Sequence, residues 1–461
     1  MKTFNAMACL ALLTVAISAN AADLLEVWRG VGSHDPDVAA ALSAKLAGEE
    51  KKVQARSLWL PNINLGGNSS WINSNSGLVG ANFSAPGLGL SNGVIFNTSV
   101  KSGVSNSWSV LVRQAVFSKE RLAQTHQLMA GAKAAEYQWQ YANEELMLRT
   151  AQRYFDVVLL SKKLSLLQSQ HKTIEIETNK AKDKFKIGEL PIIDAREAFS
   201  RQEVLSAQIM SAENELETAS LVLSDTSQIA MHDLNPKEPK DQLKVFEIKS
   251  IGDLQNLARD GNPLLKMLEL KLEGAHHEVA AFALAASTAL DLVAQASQQR
   301  INGNGAYGAS SITNQQQSLG IQLTIPLFTG GFTSSKHVEA IQLEERAKHE
   351  LASAELKVRQ SVQSTWLGLK SGMAKINALK SGLLASQSKL SSTRLAQEVG
   401  DRTTLDLLDA TNEETLVKNN LLQAKIDYLL NQLNLFALIG QLDEQSLESI
   451  NNQLEIPVSK Q

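Results

Sequence analysis

This chain repeats itself at long range. Gly188 is followed six positions later by Asp194, and Gly400 six positions later by Asp406, each pair between long runs of helix-forming residues. The two stretches, 185–195 and 397–407, lie about 212 residues apart, far beyond the roughly 20–50 residues of a solenoid repeat. Val116, Phe117 and Ser118 match Leu327, Phe328 and Thr329 at nearly the same offset. Pro36 is echoed by Pro263, and Lys45, Leu46, Ala47, Gly48 by Lys271, Leu272, Glu273, Gly274. One architecture built from two similar halves is expected.

Length alone would suggest two or three globular domains for 461 residues. Composition argues otherwise: aromatics are 5% and there are 9 prolines, while Ala, Leu, Gln, Glu, Lys and Ser fill long stretches, as in long helices. A net charge of −4 makes nucleic acid an unexpected partner. Residues 1–21 read as a secretory signal: Lys2, an apolar core over 8–17, then the small-x-small pattern Ala19, Asn20, Ala21. A membrane anchor is the alternative, but the apolar run falls short of the ~20 residues a span needs. Cys9, the only cysteine, lies inside that core rather than at its end, which argues against a lipid anchor and leaves the exported chain without thiol, disulfide or thiolate metal site.

Each half reads as helix, hairpin, then two long helices. The expected organisation is a first repeat over 22–230, a linker with short irregular structure over 231–250, a second repeat over 251–442, and a tail over 443–461. In the first repeat, 37–60 is helical until Pro61 stops it, and the period then changes from 3.6 to 2. Ile63, Leu65 and Trp71 alternate with Asn62, Asn64, Asn68 and Ser70; Val104, Trp108, Val110 and Val112 alternate with Ser105, Ser107, Ser109 and Arg113. The Gly-, Ser- and Asn-rich residues 73–103 between them are expected as an exposed loop within a hairpin over 62–117. In the second repeat the hairpin spans 289–328: Leu290, Leu292, Ala294 and Ala296, an expected loop over 301–315, then Leu319, Ile321, Leu323 and Ile325.

Four strands, apolar on one face and Ser, Asn, Gln and Thr on the other, fit a membrane β-barrel with a wet lumen; soluble hairpins on a core are the plainer alternative. Four strands cannot close a barrel, and an open edge in lipid leaves backbone groups unpaired at several kcal/mol each. If these strands span a bilayer the chain must oligomerise, and three copies would supply twelve strands. Residues 119–188 and 332–400 contain no proline, so each could run roughly 100 Å as helix. Leu148, Ala151, Phe155 and Val158 form a helical stripe that Lys162 interrupts and Leu166 resumes.

With these features the chain resembles the TolC family of outer-membrane efflux proteins. The resemblance covers residues 23–442 and is sharpest in Gly400-Asp401-Arg402-Thr403-Thr404-Leu405-Asp406-Leu407-Leu408-Asp409-Ala410-Thr411 and in Tyr428-Leu429-Leu430-Asn431-Gln432-Leu433-Asn434. It implies a mixed α and membrane-β fold: a homotrimer whose protomers each give four strands to a twelve-stranded β-barrel, continued by a long α-helical coiled-coil barrel in the periplasm. It implies a passive duct that docks on a periplasmic adaptor and an inner-membrane ABC or RND-type transporter, for multidrug efflux or type I protein secretion. A periplasmic adaptor or coiled-coil structural protein without a pore is the alternative, although an adaptor would have one helical hairpin flanked by β-rich domains.

The resemblance also implies roles for particular residues. Gly188, Glu189, Leu190, Gly400, Asp401 and Arg402 form the helix-turn-helix tips that meet the adaptor; by residue type alone each Gly is a helix C-cap. Asp406 and Asp409, three apart on one helix, form the periplasmic constriction, where mutual repulsion would raise some carboxylate pKa values. The plainer reading of Asp406 is a capping box with Thr403, and of Asp409 a solvated face. Asp194 and Arg402 are expected to pair as a gate latch, with Gln397 where the family has a tyrosine and Ile193 where it has a threonine. Thr288 stands where a second proline would match Pro61. No catalytic set, cofactor motif or metal-ligand spacing is visible; His276 and His277 are adjacent and face different ways.

Overall fold

The computed structural model describes residues 23–87, 89–189, 191–234, 236–247, 249–283, 288–305 and 308–456. The expected signal over 1–21, with Cys9, and the tip residue Leu190 lie outside them. In chain order the elements are α1 (Leu24–His34), α2 (Pro36–Ser57), β1 (Asn62–Ala85), β2 (Gly89–Ser118), α3 (Lys119–Lys186), α4 (Ile192–Ser227), a 3-10 turn (Met231–Asp233) and β3 (Glu238–Pro239). Then come α5 (Ile251–Gly261), α6 (Pro263–Phe282), β4 (Ala289–Gly305), β5 (Gly308–Thr324), α7 (Phe332–Glu398), α8 (Thr404–Leu438), α9 (Glu444–Asn451) and β6 (Leu454–Glu455). Two compact units result. One comprises 1–45, 137–266 and 352–461; the other comprises 46–136 and 267–351.

The second of these units holds an antiparallel four-stranded sheet in the order β1-β2-β4-β5, so the hairpins of the two repeats pair through β2 and β4. Directly opposed residues share a face in such a sheet. One row runs Ile63–Val112–Ala294–Leu319, with Leu292–Ile321 and Leu290–Leu323 beside it. The next rows on the other face run Gly66–Ser109–Ser297–Gln316 and Asn68–Ser107–Gln299–Asn314. The register therefore lines up the alternation of all four strands. Ile63, Leu65, Leu319, Ile321 and Leu323 are exposed, an apolar face with nothing packed on it.

The strands are longer than the sequence suggests. Residues 73–103 are not a loop: β1 and β2 pair from Asn62–Arg113 out to Ala85–Gly89, and register shifts at Ile72/Ser74, Leu78/Ala81 and Ala81/Phe83 absorb the irregularity. Likewise 301–305 and 308–315 are strand, paired from Ile301–Ile312 to Gly305–Gly308. Ser, Asn and Gly have weak strand preference, but once the ladder starts it satisfies each backbone group in turn, and bulges tolerate the rest.

In the first unit the core is coiled-coil-like. Leu24, Val27, Trp28 and Val31 of α1, Ala151, Tyr154, Phe155 and Val158 of α3, and Leu422, Ile426, Leu429 and Leu433 of α8 are buried at helical spacing. Lys162 breaks the α3 stripe because it pairs with Glu238 at 3.0 Å. Around it the linker forms a strap across the helices. Tyr154 Oη accepts from Lys237 N at 2.7 Å, Lys425 Nζ pairs with Asp241 at 2.8 Å, Lys380 Nζ donates to the Asp241 carbonyl, and Tyr428 Oη accepts from Phe246 N at 2.9 Å. The residues after 442 are no loose tail: Leu447, Ile450 and Leu454 join the core, and β6 pairs with β3. Asn451 binds both Asp23 (3.0 Å) and the Leu24 amide (3.2 Å).

The echo of Pro36 by Pro263 is explained by two helix breaks. Asp35 accepts from the amides of Asp37 (2.8 Å) and Val38, and Asn262 from that of Leu265 (3.2 Å), each starting a helix whose first residue is proline. At the second break the end of α8 abuts the chain: Asn262 Nδ2 donates to the Leu438 carbonyl at 3.0 Å, and a Cβ on Gly261 would overlap the Ile439 carbonyl oxygen. Gly261→Ala should therefore cost about 1–3 kcal/mol by overpacking. Gly382→Ala, inside α7 with open space around it, should gain about 0.5–1 kcal/mol. Thermal unfolding of the two variants should move in opposite directions.

Candidate functional site: the paired helical tips

Both tips are built by the same backbone device. Glu189 N donates to Lys184 O (2.9 Å) and Gly188 N to Phe185 O (3.0 Å); Asp401 N donates to Ala396 O (2.9 Å) and Gly400 N to Gln397 O (3.2 Å). These are Schellman closures, which place the glycine in the left-handed region. Gly188 and Gly400 have φ of 81° and 84°. The next helix starts three or four residues on, so Asp194 and Asp406 fall in the first turns of α4 and α8, where an acid complements the helix dipole. The repeated Gly-then-Asp spacing is the length of this turn. Ile187, Ile192, Ile193 and Val399 are exposed around it.

The two helix starts differ. Pro191 caps α4 without a side-chain bond, whereas Thr403 and Asp406 form a complete capping box. Asp406 Oδ2 accepts from Thr403 N and Oγ1, both at 2.9 Å, and Oδ1 lies 3.7 Å from Arg402. The Thr403 amide and hydroxyl, aided by Arg402, hold its carboxyl below the ordinary value. Hydrogen bonds to the charged form account for this direction within the protomer; the expected repulsion among carboxylates of three chains is a separate effect.

Asp409 is held differently. It accepts from Arg201 of α4, whose Nη2 also lies 3.3 Å from Glu197. The Asp409 carboxylate raises the Arg201 pKa. The expected Asp194–Arg402 pair is absent among the described residues: Arg402 is turned back to Asp406, one helical turn along its own chain. Gln397, in the expected latch, reaches Glu177 of α3 at 2.8 Å and not Asp194. Glu177 is buried and also pairs with Lys180 at 2.7 Å. The hairpins α3–α4 and α7–α8 are thus joined near their tips by Gln397–Glu177, Arg201–Asp409 and Gln170–Asn412 (3.5 Å). Leu408 packs on Ile174, Ala198 and Leu205 beside them. Sequence reasoning missed Arg201 and Glu177. Glu197 and Arg201 show an i,i+4 pairing in sequence, but nothing local points to a partner in the other repeat.

The lowered pKa gives the capping box a pH dependence. A carboxyl depressed in the folded state stabilises it above its unfolded pKa and loses that contribution as pH falls through the folded pKa. Thr403→Ala should lower Tm at neutral pH, and the difference from wild type should shrink as pH falls below 3.8, the ordinary value for this carboxyl. A Tm difference that persists unchanged in acid would show that the box does not act through Asp406.

The profile of the family described as "Outer membrane efflux protein" matches residues 31–225 and 254–441, one segment in each repeat. The outer membrane protein TolC of Escherichia coli strain K12 is 28% identical over 453 residues, covering 95% of this chain and 86% of that protein. The proteases secretion protein PrtF of Dickeya chrysanthemi is 25% identical over 449 residues, covering 95% and 93%. Among solved structures, the outer membrane channel CmeC of Campylobacter jejuni superposes with a TM-score of 0.71 at 14% identity, covering 94% of this chain and 90% of that one. On these grounds the chain belongs to the outer membrane efflux protein family, and its fold is that of TolC-like outer-membrane channels.

Proposed function

We propose that three copies of this chain form a passive exit duct through the outer membrane. The observation that carries the reading is the sheet: four strands aligned in register, one face apolar and exposed, the other polar, with β1 and β5 each paired on one side only. No described helix is long and apolar enough to cross a membrane. Lipid can supply no hydrogen bonds to the free sides of β1 and β5, so a neighbour's strand must. Three copies place β5 of one against β1 of the next and close twelve strands.

At the helical tips, Asp406 and Asp409 are read as the constriction, with Gln397, Arg402 and Asp194 around it. Gly188, Glu189, Gly400, Asp401 and Arg402 are read as the docking surface for a periplasmic adaptor, which in turn recruits an inner-membrane ABC or RND-type pump. The exposed Ile187, Ile192, Ile193 and Val399 support that reading, because small apolar groups beside a tight turn suit insertion into a partner's helical groove. The likeness to PrtF, and to the alkaline protease secretion protein AprF of Pseudomonas aeruginosa, favours type I protein secretion as one use of the duct; the likeness to TolC leaves drug efflux open.

Single-channel recording from purified trimer in a planar bilayer tests the duct. Cation-selective steps are expected, with selectivity falling in Asp406→Asn. Inserted trimer that passes no current, with or without that substitution, would overturn the reading.

A further inference from the structure

Asp406 and Asp409 share a helix face yet are bound in opposite ways. Asp406 is engaged by its own helix start, through Thr403 and Arg402. Asp409 is engaged by the other sequence repeat, through a guanidinium 208 positions earlier. Arg201 spreads its fork between Asp409 and Glu197, one Nη to each carboxylate, so a single positive charge faces both.

We propose that Arg201 is a selectivity-determining residue of the duct: by pairing with Asp409 and Glu197 against α4 it offsets part of the carboxylate charge there and so sets the net charge of the passage. The proposal rests on reading Asp406 and Asp409 as the constriction. Per protomer, Asp406, Asp409 and Glu197 face Arg201 and Arg402, which leaves one net negative charge. Removing the Arg201 charge doubles it, and the trimer repeats the change three times around a narrow ring. The helix contact itself is carried by Leu408 against Ala198, Leu205 and Ile174, all buried. Loss of the guanidinium therefore changes charge while the packing stays.

The test is the reversal potential of the purified trimer in a planar bilayer under a KCl gradient. Arg201→Gln should raise the ratio of K⁺ to Cl⁻ permeability by about twofold or more. Adding Asp409→Asn to it should return the ratio to wild type, and Arg201→Lys should stay near wild type. A structural role alone would alter conductance without this charge-paired rescue. An unchanged ratio in Arg201→Gln overturns the proposal. Asp406→Asn, recorded alongside, separates the two readings. If it lowers the ratio while Arg201→Gln does nothing, the constriction stands and the role of Arg201 falls. If neither moves it, the constriction reading falls and takes this one with it. Should Arg201→Gln fail to assemble, Glu197→Gln serves instead: it removes one negative charge and should lower the ratio, and no change would count against the proposal.

Discussion

Backbone hydrogen bonding at the two sheet edges is the constraint to which the rest of this molecule answers. The pairing of β2 with β4 settles the middle of the sheet and joins the two repeats, but β1 and β5 keep one side each without a partner among the described residues. In water such edges are an aggregation liability; in hydrocarbon, where each unpaired group costs several kcal/mol, they cannot persist. A sheet with an apolar face and open edges is stable in a membrane only as part of a closed cylinder. Duplication supplies two hairpins, and oligomerisation supplies the remainder.

The helical half solves a different problem. Long helices with narrow apolar seams bury little surface per residue, so the core gathers where α1, α3, α8 and α9 meet, and polar straps add to it. Lys162, Lys380 and Lys425 come from three helices and converge on a short linker segment through Glu238 and Asp241. Lys425 is itself nearly buried, with its partner's carboxylate in solvent. Such a pair fixes position more than it adds stability. Farther along, the links between hairpins are individual side chains: Gln397 to Glu177 and Arg201 to Asp409. They flank the small buried cluster of Ile174, Ala198, Leu205 and Leu408, so polar and apolar contacts join the hairpins side by side.

Much of this was legible in the sequence because the signals were local. The Gly188 and Gly400 turns, the Thr403–Asp406 box and the alternation of Leu319, Ile321 and Leu323 all follow from residues within a few positions of each other. Misreadings arose where a partner outvoted local preference. Residues 73–103 and 301–315 look like loops by composition, yet their described residues lie mostly in strand because each stretch extends a ladder already begun. By sequence, residues 443–461 read only as a tail, because their few apolar residues show no pattern by themselves; α1 and β3 give Leu447, Ile450 and Leu454 somewhere to bury. Within the protomer Arg402 lies against Asp406, one turn away on its own helix.

The clasp between the first and last described segments has a consequence for how the protein is made. Asp23, Leu24 and Asn451 bond directly, Arg29 pairs with Glu444 at 2.8 Å, and the apolar side of α1 is covered in part by Leu447 and Ile450. Helix α1 thus finishes its burial only against α9, far along the chain. Until α9 is made, α1 lacks part of its cover, so the core cannot be complete before the segment 444–451 joins it. Loss of α9 would remove Leu447 and Ile450 from the apolar side of α1 and leave that part of its stripe uncovered.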